Sequence, residues 1–207
     1  MKFLSVIVLV ISQLVVMGQK TVTIEGSFAV EPSFTNMVFE NYLNPAAFNQ
    51  AVEIKDNKFS FSFEAENEEI YKLSLSKQNF LALVIAPGEK ITLTLDTANL
   101  GQNPIIKGSP NSEFIYSTQV DLAGFNLRQD SLNTAYQTAG VEERKEIEAA
   151  YFAIEAEKSE FLAEKIREHA GSLAALFFIE TLSIDEYFPL YEEVDSVLSQ
   201  KFPEHAA

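Results

Sequence analysis

The hydrophobic period of this chain changes once, at Ser109-Pro110, and that switch limits the folds open to it. Before the switch apolar residues recur at every second position, as in strands that bury one face. After it they recur at every third and fourth, as in helices that bury one stripe.

In the first half Val22 and Ile24 alternate with Thr21, Thr23 and Glu25. Phe59, Phe61 and Phe63 alternate with Ser60, Ser62 and Glu64, and the turn Lys55-Asp56-Asn57-Lys58 predicts a hairpin that sets them opposite Val52 and Ile54. Tyr71, Leu73 and Leu75 repeat the pattern. Phe80 to Ile85 is a continuous apolar run suited to a central strand, and Pro87-Gly88-Glu89 turns the chain into Ile91, Leu93 and Leu95. A short strand near Ile105 to Lys107 ends at Gly108. About seven short strands without intervening helices predict an antiparallel sandwich or barrel.

Ser109 as N-cap and Pro110 at the first helical position open the second half, the serine oxygen satisfying an orphan amide and the proline having none to lose. Ile115, Leu122, Phe125, Leu132 and Tyr136 share one stripe, with Gly124 as a weak point. A second helix is predicted from Val141 to His169, closed by Gly171, with Ile147, Tyr151, Ile154, Phe161, Leu162 and Ile166 inward. A short apolar helix from Ser172 to Leu182 and a last one from Pro189 to Lys201, after the capping-box spacing of Ser183 to Glu186, complete the chain. The expected fold class is therefore α+β, an N-terminal antiparallel β-sandwich over residues 19–108 followed by a C-terminal helical region over 109–207.

Met1 to Gly18 reads as a secretory signal. Lys2 supplies the positive start, Phe3 to Ile11 the apolar run, and Val16-Met17-Gly18 the cleavage region, so cleavage between Gly18 and Gln19 is expected. A membrane anchor is the competing reading, but the run is short beside the ~20 residues a spanning helix needs. The expectation is a periplasmic or secreted protein of a Gram-negative cell envelope, without a membrane span once the signal is removed.

Thirty acidic and fifteen basic residues give a formal charge of -15. That field repels nucleic-acid phosphates and anionic lipid surfaces. The chain has no cysteine, which removes disulfides and thiol chemistry together. Its two histidines, His169 and His205, lack partners at metal-ligand spacing, so neither a histidine metal site nor a Ser/His/Asp triad is expected, and no cofactor.

Glu66, Glu68 and Glu69 cluster in a predicted loop but lack the alternating ligands and the glycine of a calcium loop. Glu142-Glu143 and Glu192-Glu193 read as solvated helix faces. The best candidate binding surface is the segment from Phe28 to Phe48, where periodicity weakens: Phe34, Met37, Phe39, Tyr42 and Phe48 are spread among prolines and asparagines.

Several stretches together resemble a known family: Val22-Thr23-Ile24-Glu25-Gly26, Lys58-Phe59-Ser60-Phe61, Phe80 to Leu95, and Ile105-Ile106-Lys107-Gly108-Ser109-Pro110-Asn111-Ser112-Glu113-Phe114. The family is the domain of unknown function that precedes the thioredoxin-like domain in exported thiol-disulfide oxidoreductases of the TlpA/ResA type. Ser172-Leu173-Ala174-Ala175-Leu176 and Tyr191-Glu192-Glu193 are similar to the helical connector of those proteins. In that family a following domain with a Cys-x-x-Cys pair performs the thiol exchange. With no cysteine here, the resemblance carries over no catalytic residue. It implies a non-catalytic accessory or docking module, either a piece of a longer oxidoreductase or a stand-alone protein, with a thioredoxin-like domain or another envelope protein as partner. Two other readings stay open: a free-standing binding protein for a glycan, peptide or small ligand, and a carboxylate-dependent hydrolase.

Overall fold

A computed structural model describes residues 20–96 and 99–203. The expected signal, the Gly18–Gln19 bond and His205 lie outside the described residues. The described chain is α+β, with eight strands in two four-stranded sheets followed by helices. The strands are β1 (Thr21–Phe28), β2 (Asn36–Asn41), β3 (Asn49–Glu53), β4 (Lys58–Glu64), β5 (Glu69–Ser74), β6 (Phe80–Ile85), β7 (Lys90–Leu95) and β8 (Ile105–Lys107). The helices are α1 (Pro110–Thr138), α2 (Val141–Glu168), the one-turn α3 (Leu176–Ile179) and α4 (Ile184–Lys201).

One sheet runs β4-β1-β7-β8 and the other β3-β2-β5-β6. Alternation decides which face of each strand is buried: Val22 and Ile24 of β1, Met37 and Phe39 of β2, and Leu93 and Leu95 of β7 all enter one core between the sheets. A second core lies outside the β5–β6 pair. There Ile70 and Val84 meet Phe114 and Ile115 of α1, Leu162 and Ile166 of α2, Phe178 of α3 and Leu190 of α4. The molecule thus has three layers, sheet, sheet and helices.

Four expectations need correction. The turn 55–58 is tight, with Asp56 and Asn57 at positive φ and Lys55 bridged to Lys58, but it is a corner and not a hairpin. The strands on either side of it enter different sheets, because Val52 and Phe59 must approach the same core from opposite sides. β1 and β7 pair in parallel, which a distant strand reached through the other sheet can do and a hairpin cannot. The apolar run of β6 is an edge strand and not a central one, and it is apolar on both faces because core lies on one side and helices on the other. Ser172 to Leu182 forms a 3-10 turn at Leu173–Ala175 and the single turn α3, and not one continuous helix.

Candidate functional site

The structure divides the residues expected to form a binding surface. β2 holds a strict period of two, so Met37 and Phe39 point inward and are 2% and 0% exposed. Phe39 lies 4.9 Å from the Phe61 ring and 5.2 Å from those of Phe63 and Tyr71, inside the sandwich. Phe34 and Phe48 are half-buried against the same core, at 5.4 Å from Phe28 and 5.9 Å from Phe39. Tyr42 alone of the five is exposed, with its ring beside Phe80 and the Lys72 ammonium. A surface containing Met37 and Phe39 is therefore corrected to core. The signal was present, since Met37 and Phe39 alternate with Asn36 and Glu40, but Val38 on the outer face blurred it.

An open cleft of about 750 Å³ lies nearby, where the edge strands β3 and β4 approach each other. Gly26, Val52, Phe59 and Phe61 supply apolar lining, and Glu53 and Lys55 stand at it as an ion pair 3.0 Å apart. Phe61, at the centre of its run, is only partly buried because it borders this cleft.

The second notable place is the seam between β6 and α1. Strand β6 is the free edge of its sheet, and two hydroxyls one helical turn apart on α1 occupy that edge. Ser112 Oγ accepts from the Val84 N–H and donates to the Val84 carbonyl, both at 3.0 Å. Tyr116 Oη accepts from the Ala82 N–H at 3.2 Å and donates to the Ala82 carbonyl at 3.0 Å. Residues 82 and 84 project their backbone groups the same way, so positions i and i+4 of a helix stand in for the next strand. Ser109 also departs from expectation. Its hydroxyl makes no cap bond but reaches the Val84 carbonyl and Ser112 Oγ, each at 3.0 Å, while Glu113 accepts from the Gly108 N–H at 2.7 Å.

Glu68, Glu66 and Glu69 do not converge. Glu68 is buried and accepts from Ser172 Oγ and the Leu173 N–H, both at 2.8 Å. Glu66 faces Lys20 at 3.5 Å and Glu69 faces Asn41 at 3.4 Å. Among the described residues no group of three His, Cys, Asp or Glu side chains is placed to hold a metal ion. His169 stacks on Phe114 at 3.6 Å, and its Nδ1 lies 3.3 Å from the Lys165 carbonyl.

The third place is the α1–α2 hairpin. Its helices have 29 and 28 residues, so each is about 43 Å long at 1.5 Å per residue. α1 meets the sandwich along β6 and β8, near its start. Farther out the helices hold each other through Arg128–Glu157 at 2.9 Å, Gln129–Glu155 at 2.6 Å and Tyr136–Glu148 at 2.9 Å. Leu127, Val141 and Phe152 stay exposed there, and Val120 is exposed nearer the sandwich, beside Ile105 and Tyr116. Among the described residues no helix is long and apolar enough to cross a membrane.

Residues 22–115 match a family model described as a domain of unknown function (DUF4369). The match runs past the last strand into the first turns of α1, so the matched unit includes Ser109 and Ser112 of the seam. No curated protein matches the chain.

Proposed function

We propose that this chain is an exported, non-catalytic accessory module that docks onto a thioredoxin-like oxidoreductase or another envelope protein. The observation that carries this reading is the helical hairpin, whose outer part packs mainly on itself while Leu127, Val141 and Phe152 face solvent. Large apolar side chains exposed along a projecting element suit a protein partner. The family match supports a modular reading, because it couples the sandwich to the start of the helix that carries the hairpin. A chain without cysteine offers no thiolate, so in this reading thiol exchange belongs to the partner. The apolar leader Met1 to Gly18 supports export.

Two measurements test it. Protein secreted from a Gram-negative host should have the mass of a chain beginning at Gln19, and it should reduce insulin disulfides no faster than buffer. Isotope-labelled protein titrated with a thioredoxin-like domain bearing Cys-x-x-Cys should show amide shifts concentrated on the outer hairpin. Leu127→Ser with Phe152→Ser should remove them. Retention of the full-length chain in membranes, insulin turnover that survives repurification, or shifts that ignore the hairpin would each sink the reading.

The cleft at Gly26, Phe59 and Phe61 favours a second reading, a binding protein for a glycan, peptide or small ligand. Shifts confined to Gly26, Val52 and Phe61 on screening such ligands would favour it over docking through the hairpin.

A further inference from the structure

The cleft between β3 and β4 is bordered by two strand edges, and the register assigns their backbone groups. In the β1–β4 ladder Phe28 donates to the Asn57 carbonyl at 2.9 Å and Ala65 to the Lys20 carbonyl at 3.0 Å. Every second pair between them, Val22–Phe63, Ile24–Phe61 and Gly26–Phe59, bonds in the same way, so the three phenylalanines direct their N–H and C=O groups to β1. The N–H and C=O groups of Ser60 and Ser62 therefore point off the sheet. β4 has no neighbour there, because it is an edge strand and forms no ladder with β3.

The sandwich treats its edges unequally. Ser112 and Tyr116 cover β6, whereas β4 stays open and carries no charge or proline between Lys58 and Glu64. Half-buried Phe61 lies below the open edge and Val52 lines the same cleft. The chemistry that matches repeating N–H and C=O groups above an apolar floor is another main chain. The corner fixes where that chain ends. Lys55 and Lys58 exchange both backbone bonds at 2.9 Å, so Lys55 fills the place beside Lys58 and an added strand must stop opposite Ser60. A chain antiparallel to β4 stops there with its C-terminus. At that end Lys55 is balanced by Glu53 at 3.0 Å and Lys58 has no ion-pair partner among the described residues, while Glu25 stands across Ser60 on β1.

We propose that the β4 edge captures the C-terminus of a partner polypeptide as an added antiparallel strand, with the terminal carboxylate at Lys58 and an apolar penultimate side chain in the cleft beside Phe61. This rests on the reading of the cleft as a binding site and narrows its ligand to an extended peptide. The last residue pairs with Ser60, its N–H donating to the Ser60 carbonyl while the Ser60 N–H donates to the carboxylate. The third residue from the end pairs with Ser62 in the same manner, and the fifth comes opposite Glu64. The second and fourth turn their side chains inward with Phe61 and Phe63.

The probes are synthetic peptides acetyl-Ser-Lys-X-Ser-X-Ser, with X valine, leucine or phenylalanine and a free carboxylate, added to the intact isotope-labelled protein. Amide shifts should centre on Gly26, Val52 and residues 60–62, and the Ser60 and Ser62 amides should gain protection from exchange. Amidating the terminal carboxyl, or Lys58→Gln in the protein, should each weaken binding about tenfold or more. N-methylation of the third residue from the end, which removes the donor to Ser62, should weaken it as much. N-methylation of the second, whose N–H points away from β4, should not. Shifts at Gly26, Val52 and Phe61 that ignore both amidation and N-methylation would overturn the added strand and leave the cleft a binding site. Silence of those residues towards every peptide would also overturn it, and silence towards glycans and small ligands as well would end the reading of the cleft itself.

Discussion

Gly26 and Phe59 face each other across β1 and β4, and the Phe59 ring fills the space that a side chain at position 26 would need. Gly26 sits in a strand at negative φ, so its absent Cβ, and not backbone freedom, is what the fold uses. Phe59 is 4% exposed and its ring lies between those of Phe28 and Phe61, at 5.8 and 6.4 Å. Gly26→Ala should therefore cost about 1–3 kcal/mol, the usual range for overpacking a core. In urea melts Phe59→Leu made on top of Gly26→Ala should recover part of that loss. Strictly additive costs would show that the two positions do not touch.

The inward alternation of β2 separates Phe39 from Tyr42. Phe39→Ala removes a fully buried ring surrounded by four others and should cost about 3–5 kcal/mol, from lost transfer energy and the cavity left behind. Tyr42→Ala, at an exposed ring, should stay below about 1 kcal/mol. Phe61→Ala should fall between Phe39→Ala and Ser62→Ala, because Phe61 borders the cleft. A Phe39→Ala variant as stable as Tyr42→Ala would place β2 in the wrong register.

The change of period at Ser109-Pro110 made the division into strands and helices legible, and alternation identified most inward residues of β1, β4 and β7. Pairing partners were not legible, because alternation states which face is buried and not which strand lies alongside. Val52 and Phe59 suited a hairpin equally well, and only the closure of two sheets around one core sends them apart. The β6 run misled for a related reason: burial on two faces reads the same whether a sheet or a helix lies beyond. The seam was hidden because Ser109 looked like an ordinary cap residue, and nothing local marks the hydroxyls of Ser109 and Ser112 as partners of Val84, distant in sequence.

Ser112 and Tyr116 make a third prediction. Ser112→Ala leaves the Val84 N–H and carbonyl buried without Ser112 Oγ, and Tyr116→Phe does the same to Ala82, so each should cost about 1–3 kcal/mol. Strand β6 carries the sequence Phe80-Leu81-Ala82-Leu83-Val84-Ile85, apolar throughout and uncharged. Bared as an edge, it should pair with other chains. The double variant should therefore self-associate with rising concentration in sedimentation velocity, with a gain in β signal. A double variant that is destabilised yet stays monomeric would show that α1 adds stability without guarding the edge.

Glu68 tests how the end of the chain is held. Its Oε1 serves both Ser172 and the Leu173 N–H, while its Oε2 faces the half-exposed ammonium of Lys201, which also donates to the Gly171 carbonyl at 2.5 Å. The two halves of the carboxylate should differ in worth, because the first bonds are buried and the second is open to water and salt. Glu68→Gln keeps an acceptor for Ser172 and Leu173 and loses only the ion pair, so it should be nearly neutral in urea melts. Glu68→Ala leaves the Leu173 N–H without its acceptor and should cost about 1–3 kcal/mol, with faster tryptic cleavage after Lys201 as the end of α4 loosens. Lys201→Met loses the ion pair and the bond to the Gly171 carbonyl together, so it should cost more than Glu68→Gln. If Glu68→Gln proves as costly as Glu68→Ala, the negative charge rather than the acceptor at Oε1 holds the last helix to the sandwich.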